Sequence, residues 1–145
     1  MLRAKGRSTP RARAIVAWPT MVIGVGLDLV ETGRVARLLE RYGERFVHKL
    51  MDPGEADALP EAPPERALCL ALAVAAKEAA SKALGTGWSH GVRWRDVVVS
   101  TEPEATVRLA GRAAEVARKR GSSGRTRARL EIAGSHAIGE VWLLS

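Results

Sequence analysis

The sequence predicts an α+β domain in which an antiparallel sheet packs against one long helix. Three observations carry that prediction. Residues 65–84 contain no Gly or Pro and are rich in Ala and Leu, which favours an uninterrupted helix. The segment MVIGVGLDL, Met21 to Leu29, mixes Val, Ile and Leu with two glycines, as in a buried strand with room for close backbone approach. Further on, 92–100, 105–109, 128–133 and 139–144 read as strands, the first two joined by Thr101-Glu102-Pro103-Glu104, a turn sequence.

The first strand places Asp28 at or just past its end. Beyond it, Val35, Leu38, Leu39, Tyr42 and Phe46 recur at helical spacing, with Arg34, Arg37, Arg41 and Arg45 among the residues on the other faces; this predicts one amphipathic helix with a basic outer side. Asp52-Pro53-Gly54-Glu55 has the form of a helix start, with an N-cap Asp, Pro at the first helical position and an acid at the third. Pro60 to Pro64 close that short element. The long helix is apolar on nearly every side until Lys77, Glu78, Ser81 and Lys82, and Gly85 supplies its C-terminal cap. Residues 78, 81 and 82 share one helix face. A short amphipathic helix over 111–120 and a glycine- and serine-rich loop over 121–126 precede the last strand pair.

A chain of 145 residues with 46% hydrophobic and 27% charged side chains fits one soluble globular domain. No apolar run approaches the roughly 20 residues of a spanning helix. Cys69 is the only cysteine, so no intramolecular disulfide forms, in keeping with a cytoplasmic location. The net charge of +7 suggests nucleic acid, but residues 1–20 hold five basic side chains and no acid, leaving 18 basic and 16 acidic residues in 21–145. The excess therefore sits in an arm and not on a folded surface that would track a duplex. We expect residues 21–145 to form the domain, with 1–20 a disordered basic arm or the product of a start placed too early, and neither nucleic acid nor a membrane as partner.

A carboxylate at a strand end and another on a buried helix need compensation, because unpaired buried charge is costly. A hard cation such as Mg²⁺, which takes one or two carboxylates and completes its shell with water and phosphate oxygens, would supply it at Asp28 and Glu78. The alternative is an i,i+4 ion pair between Glu78 and Lys82, with no metal.

The order of residues around these positions adds to this. K-E-A-x-x-K-A-x-G-T-G from Lys77 to Gly87, and G-V-G-L-D-L-V-E-x-x-R from Gly24 to Arg34, closely resemble two motifs of the holo-acyl-carrier-protein synthase family. The likeness continues through Arg45-Phe46, Asp52 to Glu55, Gly91 to Asp96 and Ser135-His136, over nearly all of 21–145. It implies the 4′-phosphopantetheinyl transferase fold and Mg²⁺-dependent transfer of the 4′-phosphopantetheine arm of coenzyme A to a serine of an apo acyl carrier protein, releasing adenosine 3′,5′-bisphosphate. Asp28 and Glu78 would hold the metal, and Glu78 would take the serine proton. Lys82 would contact phosphate, and Lys77 would help orient it. Gly85, Thr86, Gly87 and His136 would lie against coenzyme A, and Arg34 and Arg45 would dock the acidic carrier. The resemblance also implies a homotrimer with sites between subunits, so that Asp28 and Glu78 would come from different chains.

Three departures stand against full likeness. Ala73-Val74 replace the family's usual Arg-Phe. Gly134 weakens what should be a regular strand through Ala133-Gly134-Ser135-His136-Ala137. Glu140 and Trp142 occupy a closing strand that is small and alanine-rich in relatives. They motivate a second reading, a diverged homologue that keeps the fold but binds without catalysis or serves another step of a carrier-protein pathway.

Overall fold

The computed structural model describes residues 20–145, so the basic arm expected over 1–20 lies outside it but for Thr20. The chain runs β1 (Val22–Glu31), α1 (Thr32–Tyr42), α2 (Glu44–Leu50), α3 (Pro53–Asp57), α4 (Pro63–Leu84), β2 (Val97–Ser100), β3 (Thr106–Leu109), α5 (Gly111–Lys119), β4 (Thr126–Ala133) and β5 (His136–Leu144). Strands β1, β5 and β4 form an antiparallel sheet in that order, and β2 and β3 a separate hairpin. Helix α4 crosses β1 and β5 and forms the centre of the core with Leu70, Leu84, Val47, Val141 and Leu143. The α+β expectation holds. Among the described residues no helix is long and apolar enough to cross a membrane.

Glycine lets the helix lie directly on the sheet. A Cβ at Gly24, Gly26 or Gly139 would come within 2.1, 1.7 and 2.6 Å of backbone atoms of Ala83, Ala79 and Ala75. The three alanines are four residues apart, so they form one stripe along α4, and the glycines of β1 and β5 lie beneath it. Alternation along β1 then sends Asp28 to the helix side with Gly26, and Val25, Leu27 and Leu29 to the opposite face, where they stay exposed.

The expected helix start is present and closes a capping box, with Glu55 N donating to Asp52 Oδ1 (2.8 Å) and Asp52 N to Glu55 Oε1 (3.2 Å). Gly85 caps α4 with φ of 79°. Other expectations need correction. The single helix over Val35 to Phe46 is two, because Gly43 turns left-handed (φ 55°) between α1 and α2. Helix α4 begins at Pro63, since proline lacks only an amide that the first turn leaves unpaired. The strand expected over 92–100 starts at Val97, because Asp96 accepts from Arg93 N (2.9 Å) and winds Trp94–Asp96 into a 3₁₀ turn. Gly134 does not weaken a strand: Ala133 pairs with His136, and Gly134 (φ 58°) opens the two-residue turn of the β4–β5 hairpin. Asp28 lies inside β1, opposite Gly139, and not at its end.

Candidate active site

Asp28 and Glu78 face one cleft of about 640 Å³, with Glu31, Arg34 and His136 also on its walls. Strand β1 presents Asp28, and α4 presents Glu78. The two belong to the same chain, so bringing them together needs no second copy, contrary to what the resemblance implied. Lys82 Nζ donates to Asp28 Oδ1 (2.7 Å) and to Leu27 O (3.0 Å). The Glu78–Lys82 pair weighed as the alternative is therefore not formed. None of the ion pairs among the described residues uses Glu78.

The other expected residues divide. Arg34 and His136 line the cleft, and the His136 ring, paired through Nδ1 with Ser135 Oγ (3.1 Å), stands across the β1–β5 ladder from Glu31. Arg45 lies in an adjoining groove of about 490 Å³ with Tyr42 and Lys49. The groove and the cleft share Leu38, Phe46, Leu50 and Trp94 as a common apolar wall. Gly85, Thr86 and Gly87 lie beyond Lys82, outside the cleft lining, and two of their amides are spent on the helix end: Gly85 N donates to Lys82 O and Gly87 N to Ser81 O.

Lys77 is a correction to the expectation of phosphate contact. Its side chain is 0% exposed, and its ammonium donates to Glu55 Oε1 (2.9 Å), Trp94 O (3.1 Å) and Val97 O. All three donors are used inside the protein, so none remains for a phosphate. Burial holds the Lys77 pKa below the ordinary lysine value, outweighing the opposite pull of Glu55.

Sequence reasoning did not single out Glu31, Trp94 or the apolar wall. Glu31 and Trp94 stand within quoted motifs, but only the β1–β5 register and the 3₁₀ turn bring them to the cleft. The departures also separate. Val74 lines the site cleft, whereas Ala73 lines a distinct pocket of about 270 Å³ beside Cys69 and Val99.

The donor set fits a magnesium ion. Among the described residues no cluster of three or more His, Cys, Asp or Glu side chains is arranged to hold a metal. A softer or more demanding ion would need such a cluster. Mg²⁺ takes one or two carboxylates and completes its shell with water and phosphate oxygens, and Asp28 and Glu78 offer two in this cleft.

Comparison with known proteins gives the family. The profile of the 4′-phosphopantetheinyl transferase superfamily matches residues 24–138, from the first glycine of β1 to the strand that carries His136. The chain belongs to that superfamily, in its holo-[acyl-carrier-protein] synthase family. It is thus an enzyme of the phosphopantetheinyl transferase class. Among its relatives, the holo-[acyl-carrier-protein] synthase of Solibacter usitatus is 44% identical over 103 residues, 70% of this chain and 82% of that one. The holo-[acyl-carrier-protein] synthase of Methylobacterium radiotolerans is 50% identical over 97 residues, 66% of this chain and 71% of that one. The crystal structure of the Neisseria meningitidis holo-[acyl-carrier-protein] synthase superposes with a TM-score of 0.72 at 27% identity, covering 85% of this chain and 98% of the other. The Helicobacter pylori enzyme, solved in complex with coenzyme A, shares the fold with a TM-score of 0.68 at 22% identity, over 82% of this chain and 98% of that one.

Proposed function

We propose that this member of the family moves the 4′-phosphopantetheine arm of coenzyme A onto a serine hydroxyl of an apo acyl carrier protein and releases adenosine 3′,5′-bisphosphate. The observation that carries the reading is the meeting of Asp28 and an ion-pair-free Glu78 in one cleft beside a basic, apolar-walled groove. Asp28 and Glu78 would hold Mg²⁺, which supplies neutralisation of pyrophosphate charge and of the charge developing on the leaving phosphate. Glu78 accepts the proton of the attacking serine hydroxyl. Lys82, half-exposed at the rim, turns from Asp28 to a phosphate oxygen, a short swing for a flexible four-carbon stem. His136 and the Gly85-Thr86-Gly87 loop contact the nucleotide. Arg34 and Arg45 attract the acidic carrier and speed encounter, and the apolar wall shared by groove and cleft leads from docking surface to reacting centre.

The proposal includes a homotrimer, supported by the outer face of the sheet, where Val25, Leu27 and Leu29 are 55%, 50% and 58% exposed. A contiguous apolar strip of this kind marks an association surface. It also includes action in the cytoplasm, where the single thiol stays reduced. Mass spectrometry of an apo carrier protein incubated with enzyme, coenzyme A and Mg²⁺ tests the reading. The carrier should gain one phosphopantetheinyl group, and Glu78→Ala should slow the gain by about 100-fold or more, the scale of a lost general base. A wild-type protein that binds coenzyme A yet labels no carrier overturns it in favour of the non-catalytic homologue.

A further inference from the structure

The Lys77–Glu55 pair is a buried ion pair with several further hydrogen bonds. Both side chains are buried, at 0% and 1% exposure. Glu55 Oε1 accepts from Lys77 Nζ (2.9 Å) and Asp52 N (3.2 Å), and Glu55 Oε2 accepts from Val99 N (2.9 Å). Lys77 adds bonds to the carbonyls of Trp94 and Val97. One ion pair thereby joins α3, α4, the 3₁₀ turn and β2. Cohesion alone does not account for it, since a buried pair replaced by apolar residues of similar volume is often neutral or stabilising.

The contact beneath α4 suggests what the pair is for. Ala75, Ala79 and Ala83 rest on Gly139, Gly26 and Gly24, a contact that selects the side of α4 facing the sheet, and Lys82 ties the last turn to Asp28 and Leu27 O, but neither reaches α3 or the 3₁₀ turn to set how far the helix is rotated or slid against them. Directional bonds can set both. Lys77 immediately precedes Glu78, and Trp94, whose carbonyl Lys77 holds, forms part of the cleft wall. We infer that Lys77 and Glu55 are positioning residues: their bond fixes the rotation of α4 that aims Glu78 at the Asp28 side of the cleft, and fixes Trp94 opposite. The inference rests on the metal role proposed for Glu78, and it departs from the phosphate contact expected of Lys77.

The test is the double variant Lys77→Met/Glu55→Leu, compared with wild type by thermal unfolding, by calorimetric Mg²⁺ titration in the presence of coenzyme A, and by the circular-dichroism couplet of the stacked Trp88–Trp94 pair, whose rings are 4.0 Å apart. The double variant should keep its melting temperature, bind Mg²⁺ about tenfold or more weakly, as when a group supporting a metal ligand is removed, and show an altered couplet. Its kcat should fall while KM for the carrier stays unchanged. If the double variant does not fold, Glu55→Gln decides, because the amide keeps the volume but sets an N–H₂ where an oxygen accepted; weakened Mg²⁺ binding is expected. A folded variant with wild-type Mg²⁺ affinity and an unchanged couplet overturns the inference alone. A wild-type protein that takes up no Mg²⁺ overturns the proposed function and removes the inference with it.

Discussion

Replacing Gly26 by alanine should do more damage than its single added methyl suggests. The new Cβ would stand 1.7 Å from Ala79 O, 2.6 Å from Ala79 C and 2.9 Å from Ala83 N. All three are backbone atoms, so no rotamer change relieves the overlap. Ordinary contact begins near 3.4 Å, so α4 must lift off the sheet by a distance comparable to the overlap itself. Overpacking a core costs about 1–3 kcal/mol and sometimes more, and a rigid backbone clash puts Gly26→Ala at about 3 kcal/mol or above. For a domain of this size each kcal/mol lowers Tm by roughly 3–5 °C, so the expected fall is about 10 °C or more. Gly26 lies two residues before Asp28 and Ala79 follows Glu78, so the same movement should widen the cleft and weaken Mg²⁺ binding. Thermal unfolding followed by circular dichroism, at one protein concentration because self-association adds to apparent stability, measures the effect. Gly134→Ala is the control: its surroundings are open but its φ is 58°, so it should cost only about 1 kcal/mol of backbone strain. If Gly26→Ala costs no more than Gly134→Ala, the close-contact account of the helix–sheet interface is refuted.

Asp28→Asn removes the charge that pairs with Lys82, but Lys82 is 51% exposed, and such pairs contribute at most about 1 kcal/mol. Tm should hardly move while calorimetric Mg²⁺ uptake disappears; a large loss of Tm with metal binding intact would make Asp28 structural. Arg34→Glu/Arg45→Glu should slow association with an acidic carrier by about tenfold at low salt, and the deficit should shrink once the Debye length falls below about 10 Å. A deficit in stopped-flow association that does not change with salt would contradict docking by long-range attraction. Burial, with smaller contributions from Glu102 and Glu65, raises the Cys69 thiol above its ordinary pKa. The unfolded chain therefore ionises first, so this group stabilises the fold below the ordinary thiol range, and that contribution is lost as pH rises through the native value. Alkylation of native protein should lag that of denatured chain across this range, and equal rates would contradict the shift.

The residues that specify local structure were legible because their reasons lie within a few positions of one another. The helix start at Asp52 and Glu55, the left-handed Gly85 and the unbroken helix before it follow from hydrogen-bond partners and backbone freedom close by in the chain. Gly24 and Gly26 announced a close approach, though not what would approach. Asp28 and Glu78 were legible as candidate site residues through the motifs around them, and they line one cleft. Tertiary structure decided which charges meet. Lys82 pairs with Asp28, 54 residues away, and not with Glu78, four positions earlier on the same helix. Lys77 turns inward to Glu55 across 22 residues, although nothing in the K-E-A run separates a buried lysine from one facing phosphate. Adjacent residues on a helix point about 100° apart, so the side of α4 that meets the sheet settles the fates of Lys77 and Glu78 together. That side is chosen by the fit of Ala75, Ala79 and Ala83 onto three glycines drawn from β1 and β5, strands at opposite ends of the domain sequence.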